Sequence, residues 1–320
     1  MKTLLVTGGA GFIGSHFIKY ILKKYENYKI INLDKLTYCA NLKNLKEVEA
    51  NPNYSFVQGD ITDSALVDDL AKKSDYIINF AAETHVDNSI KNPENFVKTN
   101  VYGAYVLLEA AKNNNIEKFL QISTDEVYGS IEVGKFSENS PLAPNSPYSA
   151  SKASADMLAR SYFKTYNLPI LITRCSNNYG ENQYNEKLIP HFINNLMNNK
   201  KIPLYSDGSN VRDWIYVLDH ARALDIVLHE GKIGDIYNIG ANEEKTNLEI
   251  TKIILKQMVK SFDMVEFVED RKGHDKRYAI DNSKIKSLGW KPEKSFNDGI
   301  IQTINWYVNN IDWIKKWKYY

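Results

Sequence analysis

The sequence predicts an α/β protein built around a doubly wound parallel sheet, with a smaller α/β domain in its C-terminal half. The first observation is that short apolar runs alternate regularly with longer amphipathic segments through the first half of the chain. The second is a glycine-rich turn directly after the first apolar run. The third is a change in the second half, where apolar runs become shorter and turn residues more frequent.

The predicted strands are short runs rich in Ile, Val, Leu and Phe that are bounded by Gly, Asp, Asn or Pro. They occupy residues 3–7, 29–33, 54–58, 76–81, 119–123 and 170–174. Helical periodicity occupies residues 14–24, 95–113 and 149–166, and further on 216–229 and 297–317. Strands that alternate with helices in this way predict a parallel sheet covered by helices on both faces.

Bulk composition excludes several classes of protein. The 320 residues carry a net charge of +1, so we expect no broad attraction to nucleic acid or to a membrane surface. Two cysteines, Cys39 and Cys175, are too few for a disulfide framework, and no secretory signal or membrane-spanning run is present. We therefore expect a cytoplasmic protein that needs no metal ion.

Gly8, Gly11 and Gly14 follow the first predicted strand and open the first predicted helix. The N-terminus of a helix offers free N–H groups and a partial positive charge, which suit a pyrophosphate. Glycines let the turn form and let the backbone approach such a ligand closely. The turn therefore predicts a Rossmann-like dinucleotide site in a domain over residues 1–176. Residues 177–320 are expected to bind the substrate, with the segment near 209–231 packing back onto the first domain.

Two acidic residues follow the next predicted strands. Asp34 ends the second strand, where its carboxylate can accept hydrogen bonds from a ribose diol and would repel an extra 2′-phosphate. This favours NAD⁺ over NADP⁺. Asp60 follows the third strand and could bond the adenine. The alternative is that both residues only cap helices.

Tyr148 and Lys152 are four residues apart on a predicted helix and so share one face. The charge of the lysine can lower the pKa of the phenol, which then becomes a usable base, and the lysine can also bond a cofactor ribose. The chain contains 21 tyrosines, so the spacing has weight only in its context after a dinucleotide-binding turn.

Thr124, Asp125 and Glu126 stand at the end of the fifth predicted strand, on the edge of the sheet where ligands bind. The threonine could bond a substrate hydroxyl. Two adjacent carboxyls tend to have their pKa values pushed apart, which provides an acid and a base for the elimination of water. The alternative is an acidic first turn of a helix.

Eight motifs carry a resemblance to a known family. They are T-G-G-A-G-F-I-G-S at 7–15, A-A-E-T-H-V-D at 81–87, S-T-D-E-V-Y-G at 123–129, Y-S-A-S-K at 148–152, R-C-S-N-N-Y-G at 174–180, E-K-L-I-P at 186–190, V-R-D-W at 211–214 and G-H-D-K-R-Y at 273–278. From residue 2 to about residue 306 the chain resembles the extended short-chain dehydrogenases/reductases, and within them the dTDP-glucose 4,6-dehydratases.

The resemblance implies NAD as the cofactor and a nucleotide-sugar as the substrate. The implied cofactor contacts, besides the glycines, are Phe12, Ile13, Asp34, Lys35, Thr37, Asp60, Ile61, Ala81, Ala82, Thr99, Tyr148, Lys152 and Asn178. The implied substrate contacts are Thr84, Thr124, Asn177, Lys187, Leu188, Pro203, Tyr205, Arg212, Asn247, Arg271 and His274. The charges of Lys187, Arg212 and Arg271 suit a diphosphate, although a single lysine is otherwise a surface residue and His274 could be structural.

The resemblance also implies a reaction. Tyr148 takes the proton of the sugar's 4-hydroxyl as hydride leaves carbon 4 for NAD⁺, Glu126 removes the proton on carbon 5, and Asp125 protonates the departing 6-hydroxyl. Hydride then returns to carbon 6. A UDP-glucose dehydratase, a 4-epimerase and a non-catalytic NAD-binding sensor remain alternatives. A homodimer is expected from the resemblance, with helices 95–113 and 149–166 paired across a two-fold axis.

Overall fold

The computed structural model describes residues 1–311 and 313. Its strands are β1 (Lys2–Thr7), β2 (Tyr28–Asp34), β3 (Tyr54–Gln58), β4 (Tyr76–Asn79), β5 (Lys118–Thr124), β6 (Ile170–Cys175), β7 (Asn177–Tyr179), β8 (Ile202–Tyr205), β9 (Val211–Tyr216), β10 (Ile236–Ile239), β11 (Glu244–Thr246) and β12 (Val265–Val268). Its α-helices are α1 (Phe12–Lys24), α2 (Ser64–Ala71), α3 (Val86–Lys91), α4 (Glu94–Phe96), α5 (Ala104–Asn113), α6 (Pro147–Tyr166), α7 (Leu188–Met197), α8 (Val217–Glu230), α9 (Asn247–Gln257), α10 (Ser283–Ser287) and α11 (Phe296–Asn309). A π-helical segment covers Val97–Gly103, and 3₁₀ turns cover Leu42–Leu45, Asp125–Tyr128 and Phe262–Met264.

The large sheet has seven strands in the order β10-β6-β5-β4-β1-β2-β3, and its neighbouring strands are parallel. The chain runs outward from β1 through β2 and β3, then crosses back to β4 and runs outward on the other side. This confirms the predicted doubly wound sheet. The strand order reverses between β1 and β4, and in such sheets a ligand crevice lies beyond the carboxyl ends of the strands at that point.

Both faces of the large sheet are buried, as a parallel sheet requires. Side chains alternate along β1, so Leu4 packs on one face with Phe17 of α1, while Leu5 packs on the other with Leu107 of α5. Each of these side chains is fully buried. Burying one such side chain stabilises the fold by roughly 1.5–3 kcal/mol, so the two faces anchor the strand ends that carry the site.

The chain returns to the large sheet after its first passage through the smaller domain. Helix α8 packs beside α1, since Leu224 and Leu228 share a core with Phe17 and Ile21. Strand β10 then pairs with β6 at the edge of the sheet. The part of the chain that packs back onto the first domain therefore extends beyond the predicted segment 209–231. The domain boundary at 176/177 stays a prediction.

The rest of the second half forms its own core around two small sheets, β11-β9-β7 and β12-β8. Phe192 of α7, Trp214 of β9, Ile254 of α9 and Ile304 of α11 meet there. Strand β9 pairs in parallel with β7, which follows β6 almost immediately. This pairing ties the smaller core to the edge of the large sheet where the predicted site lies.

The predicted single helix over 95–113 is wrong in its first half. Helix α4 has three residues, and the π-helical segment separates it from α5. Asn100 lies in that segment, where its Oδ1 accepts the N–H of Glu83 at 2.8 Å and its Nδ2 donates to Ser151 Oγ at 2.8 Å. A π-bulge changes the helical register locally, which brings Asn100 to both partners.

The predicted C-terminal helix corresponds to α11, and residues 312 and 314–317 of that prediction lie outside the described residues. No helix within residues 1–311 has both the length and the apolar character needed to cross a bilayer. The same part of the chain holds no cluster of His, Cys, Asp and Glu suited to a metal ion.

Candidate active site

A cavity opens at the carboxyl edge of the large sheet, at the point where the strand order reverses. Groups from the ends of β1, β2, β3, β4, β5 and β6 line it together with the first turn of α1. Among its lining residues are all those predicted to hold the cofactor: Gly8, Gly11, Phe12, Ile13, Gly14, Asp34, Lys35, Thr37, Asp60, Ile61, Ala81, Ala82, Thr99, Tyr148, Lys152 and Asn178.

The glycine turn brings β1, α1 and the end of β4 unusually close together. Gly8 has a φ of +68°, and a Cβ there would lie 2.7 Å from the backbone nitrogen of Ala81. A Cβ on Gly14 would lie 2.6 Å from the carbonyl oxygen of Gly8. Only glycine therefore fits at these two positions without a backbone shift, and helix α1 can begin at the wall of the cavity.

Asp34 ends β2 at this wall, and Asp60 lies two residues after the neighbouring strand β3. Asp34 Oδ2 accepts the N–H of Ala10 at 2.9 Å and Oδ1 accepts that of Leu36 at 2.8 Å. Burial nevertheless raises the pKa of Asp34. Asp60 pairs with Lys35 at 2.7 Å. Asp34 thus braces the glycine turn instead of capping a helix, and both carboxylates lie on the lining of the cavity.

We call Thr124, Asp125, Glu126, Tyr148 and Lys152 the strand-end cluster, because they meet around the end of β5 and all line the cavity. The acidic pair does not open an α-helix, since Asp125 begins a 3₁₀ turn of four residues. The Thr124 hydroxyl accepts the N–H of Glu126 and donates to Asp125 Oδ1, each at 3.3 Å.

The two carboxyls of the strand-end cluster have different surroundings. Burial, followed by the charge of Glu126, raises the pKa of Asp125 well above its usual value. Burial also raises the pKa of Glu126, but the cations Arg271, Lys187 and Arg212 act in the opposite direction. Nearby cations therefore oppose the upward pKa shift more at Glu126 than at Asp125, and the assignment of one carboxyl as acid and the other as base stays a prediction.

Helix α6 positions the other two members of the cluster. Its N-terminus is held by a capping box between Ser146 and Ser149, with Pro147 in the first turn. Tyr148 is buried, and burial followed by the charge of Glu126 raises its pKa well above the usual value. Lys152 Nζ donates to the carbonyl of Ile122 at 2.6 Å. The net pKa shift of Tyr148 is thus opposite in direction to the one expected from its lysine partner.

The predicted substrate residues divide into two groups. Thr84, Thr124, Asn177 and Lys187 line the cavity, and Lys187 Nζ donates to the carbonyl of Thr84 at 2.8 Å. The other predicted substrate residues are absent from the lining formed by the described part of the chain: Leu188, Pro203, Tyr205, Arg212, Asn247, Arg271 and His274.

We call Lys187, Arg212 and Arg271 the cation cluster, because all three lower the pKa of Glu126. Arg212 is buried, donates to the carbonyls of Val211 and Asp275 at 2.7 and 2.9 Å, and lies over the ring of Tyr278 at 4.2 Å. The Nε of Arg271 is buried and has no hydrogen-bond partner within the described residues. The cluster thus places positive charge on the Glu126 side of the cavity.

His274 and Tyr205 lie together near the cation cluster. Their rings are 5.8 Å apart in an edge-to-face arrangement, and His274 Nδ1 lies 2.5 Å from Asp270 Oδ1. Burial, followed by the charge of Arg271, lowers the pKa of His274. This histidine therefore has structural partners, and its predicted contact with substrate stays a prediction.

Sequence reasoning missed several lining residues, among them Cys39, Glu83, Ser176 and Glu186. Burial, followed by the charge of Glu186, raises the pKa of Glu83. The sequence did contain a signal for two of them, because they are direct neighbours of predicted site residues. Glu83 lies between Ala82 and Thr84, and Glu186 directly precedes Lys187.

Comparison with known proteins gives consistent matches over nearly the whole chain. A relative from Haloferax volcanii, the low-salt glycan biosynthesis protein Agl12, is 55% identical over 96% of this chain and 99% of its own. The dTDP-glucose 4,6-dehydratase of an Actinoplanes species is 48% identical over 97% and 99%. The crystal structure of the dTDP-glucose 4,6-dehydratase DesIV from Streptomyces venezuelae, with NAD and dTDP bound, is 48% identical with a TM-score of 0.97, over 99% of this chain and 100% of that one.

The model of the GDP-mannose 4,6 dehydratase family matches residues 5–303. That span includes the glycine turn, the strand-end cluster and the cation cluster, so the match covers the whole site as well as the fold. The chain belongs to the GDP-mannose 4,6 dehydratase family.

Proposed function

We propose that this protein is an NAD-dependent nucleotide-sugar 4,6-dehydratase that acts on dTDP-glucose. The observation that carries the proposal is the adjacent pair of Asp125, which is buried, and Glu126, which is half-buried, beside Tyr148 on the wall of one cavity. Removal of water across two carbons needs one group to take a proton and another to protonate the leaving hydroxyl. The unequal charges around the two carboxyls match those tasks.

The residues on the cavity wall fit NAD. Glycine at positions 8 and 14 lets the turn form at the start of α1, where the N-terminus of the helix can face a pyrophosphate. The carboxylate of Asp34 keeps acceptor capacity for a ribose diol, because each oxygen accepts one backbone N–H. The residues that we propose to contact NAD are the full set of cofactor contacts predicted from the sequence. When bound, NAD accepts hydride from carbon 4 of the sugar and later returns it to carbon 6.

Tyr148 is proposed as the base that takes the proton of the 4-hydroxyl. Its burial opposes the phenolate, so positive charge is needed nearby. Lys152, one turn further along α6, is proposed to provide it. Thr124 is proposed to form a hydrogen bond with the 4-hydroxyl of the sugar. Its hydroxyl group lies close enough to Tyr148 to lower the pKa of the phenol. Both tasks concern one oxygen atom of the sugar.

Glu126 is proposed to remove the proton from carbon 5, which the 4-ketone has made acidic. The cation cluster favours its ionised form. Asp125 is proposed to protonate the departing 6-hydroxyl, because burial raises its pKa and so favours the protonated carboxyl. Glu126 then returns its proton to carbon 5 as hydride reaches carbon 6, and the product is the 4-keto-6-deoxy sugar.

The nucleotide diphosphate is proposed to lie along the cation cluster, where guanidinium groups can pair with phosphate oxygens. Preference for the thymidine nucleotide is part of the proposal and is supported by the relatives of that name. The remaining proposed substrate contacts are Thr84, Asn177, Leu188, Pro203, Tyr205, Asn247 and His274.

Product analysis tests the function. The protein is incubated with dTDP-, UDP-, CDP- and GDP-glucose, and the products are identified by their mass and by the alkaline absorbance of 4-keto-6-deoxy sugars. We expect the fastest turnover with dTDP-glucose. A product that is only the 4-epimer would overturn the dehydratase assignment, and a faster reaction of UDP-glucose would overturn the nucleotide preference.

The matched variant for this assay is Tyr148→Phe, which removes one hydroxyl from a buried ring. Loss of a positioned base slows a reaction by about 10²–10⁴-fold. We expect a loss of turnover in that range with NAD still bound. Equal rates for the variant and the intact protein would contradict the catalytic role of Tyr148, and the absence of turnover in the intact protein would point to a non-catalytic NAD-binding sensor.

We further propose a cytoplasmic homodimer. Val97, Tyr102 and Tyr105 around α5 and Met157 and Tyr166 on α6 expose between 42% and 57% of their surface, which is unusual for apolar and aromatic side chains on neighbouring helices. Both cysteines are free thiols, in keeping with a reducing compartment. Light scattering after gel filtration should give twice the chain mass, and Met157→Glu should yield the monomer.

A further inference from the structure

Helix α6 carries a third charged residue behind the Tyr148 and Lys152 pair. Asp156 follows Lys152 at the same four-residue interval, so all three side chains share one face of the helix. Asp156 is fully buried and takes no part in lining the cavity. Its charge therefore has to be compensated inside the protein.

Arg174 on β6 provides that compensation. Its Nε donates to Asp156 Oδ2 at 2.9 Å, and its NH1 donates to the hydroxyl of Tyr128 at 2.9 Å. The Tyr128 hydroxyl donates in turn to Asn238 Oδ1 at 2.8 Å, and the guanidinium lies 4.8 Å from the centre of the Tyr128 ring. Tyr128 and Arg174 belong to two of the motifs recognised in the sequence, yet neither has a task in the proposed chemistry.

Lys152 needs a negative charge if it is to remain an ammonium ion. The side chain is 5% exposed, and burial lowers its pKa. The groups that act on it from the packed elements are Asp156 of α6, which raises its pKa, and Cys175 of β6, with the Ile122 carbonyl of β5 as its hydrogen-bond acceptor. Cys175 carries no charge near neutral pH, because burial raises the pKa of its thiol to about 12.

The carboxylate of Asp156 is itself paired with Arg174 at 2.9 Å. Burial raises its pKa overall, whereas the charges of Arg174 and Lys152 act in the opposite direction. The network thus extends from Arg174 through Asp156 toward Lys152, which lies one helical turn after Tyr148 on α6.

We propose that Asp156 is a positioning residue that keeps Lys152 positively charged beside Tyr148, with Arg174 and Tyr128 holding its carboxylate in place. The proposal rests on the proposed function only in the part that concerns Tyr148 as a base. The charge of Lys152 is a property of the folded protein and can be measured without substrate.

Asp156→Asn is the direct test. The amide has nearly the same size and can still accept from Arg174 Nε, so the main change is the loss of the negative charge. An opposite charge at this spacing shifts a pKa by about 1–3 units, so the pKa of Lys152 should fall by that amount. Because the ammonium form is the active one, the alkaline limit of kcat should move to lower pH by about 1–3 pH units.

Tyr128→Phe is the matched control. It removes one hydrogen bond to Arg174 and the one to Asn238 from the same network without changing any charge. If the network only supports the fold, both variants should lower kcat to similar extents, and the pH of the alkaline limit of kcat should stay the same. Under the proposal only Asp156→Asn moves that limit, and an unmoved limit in that variant would overturn it.

A second readout needs no catalysis. In holoenzyme labelled with ¹³C at the ε-carbon of lysine, the Lys152 resonance is the one missing from Lys152→Arg, and its titration gives the charge state directly. We expect Asp156→Asn to titrate at lower pH than the intact protein, and identical titrations would disprove the role of Asp156. Absence of the 4-keto-6-deoxy product from the intact protein would refute the proposed function alone.

Removing Asp156 leaves Arg174 as a buried charge without its carboxylate, which can prevent folding. The double variant Asp156→Asn with Arg174→Gln removes both charges together. It should shift the titration of Lys152 in the same direction by a smaller amount, because the loss of the arginine partly offsets the loss of the carboxylate. A double variant that titrates like the intact protein, or at higher pH, would count against the proposal.

Discussion

The strand-end cluster and the cation cluster meet at Glu126 but are held in different ways. Thr124 is the last residue of β5 and is in register with Cys175 of β6, and Asp125 follows it directly, so the large sheet fixes their positions. Arg212 and Arg271 come from a strand of a small sheet and from a loop, and Arg212 is held mainly by backbone carbonyls. The first cluster is suited to chemistry, and the second to an anion whose charge it balances.

This difference teaches that rate and affinity can be separated by mutation. A change in the strand-end cluster should act on kcat, since its members are proposed to move protons. A change in the cation cluster should act mainly on KM, with an additional effect on Glu126 that is largest for Arg271.

The largest separation is expected for Glu126→Gln, which removes the proposed base for carbon 5 and keeps the size of the side chain. We expect kcat to fall by about 10³-fold with KM little changed, because general base catalysis contributes on that order. Oxidation at carbon 4 does not need this residue, so reduced cofactor should accumulate and be visible in its near-ultraviolet absorbance. A variant that neither accumulates reduced cofactor nor loses turnover would contradict the role of Glu126.

Arg271, the member of the cation cluster that acts most strongly on Glu126, gives the next largest effect. A hydrogen bond to a charged group contributes about 1.5–3 kcal/mol, so Arg271→Gln should lower kcat/KM by about 10–150-fold, mainly through KM. Loss of this cation also raises the pKa of Glu126, and since the ionised form is the base, the acid limit of kcat should move to higher pH. A change in KM with an unmoved acid limit would show that the two clusters are electrically independent.

The same two clusters show how far the sequence alone could predict the site. Every predicted cofactor residue lines the cavity, because each lies within a few residues of a strand end or in a helix whose spacing is visible in the sequence. Seven predicted substrate residues do not line it, since they come from segments whose packing depends on the second core. The resemblance supplied these residues, but no local pattern places them.

In the first domain, too, contacts between distant parts of the chain could not be predicted from the sequence. The π-helical segment forms around Asn100, whose partners Glu83 and Ser151 lie 17 and 51 positions away. The ion pair of Asp156 and Arg174 joins a helix to a strand. Neither pair leaves a periodic signal, because a single buried polar contact depends on how elements pack and not on their own sequence pattern.

The smallest effect on either cluster is expected from Asp225→Asn, which serves as a control for stability. Asp225 on α8 is buried and pairs with Lys24 at 2.6 Å and His229 at 3.0 Å, at the contact between α8 and α1. Both partners are partly exposed, so we expect a loss of about 2 kcal/mol in the free energy of unfolding, below the cost of breaking a fully buried pair. Both kcat and KM measured well below the melting temperature should stay unchanged.

The pH dependence of that loss follows from the two pKa shifts. His229 has a raised pKa, chiefly through its hydrogen bond to Asp225, so its contribution is complete below its ordinary value of 6.5 and disappears as pH rises through the raised value. Burial opposes ionisation of Asp225, but His229 and Lys24 lower its pKa overall, so its contribution is complete above 3.8 and is lost as pH falls through the lowered value. The difference in unfolding free energy between the two proteins should therefore be largest between pH 3.8 and 6.5. Chemical denaturation across that range measures this difference. A change in kcat or KM in Asp225→Asn would contradict the prediction, because it would mean that the contact between α1 and α8 controls the geometry of the active site.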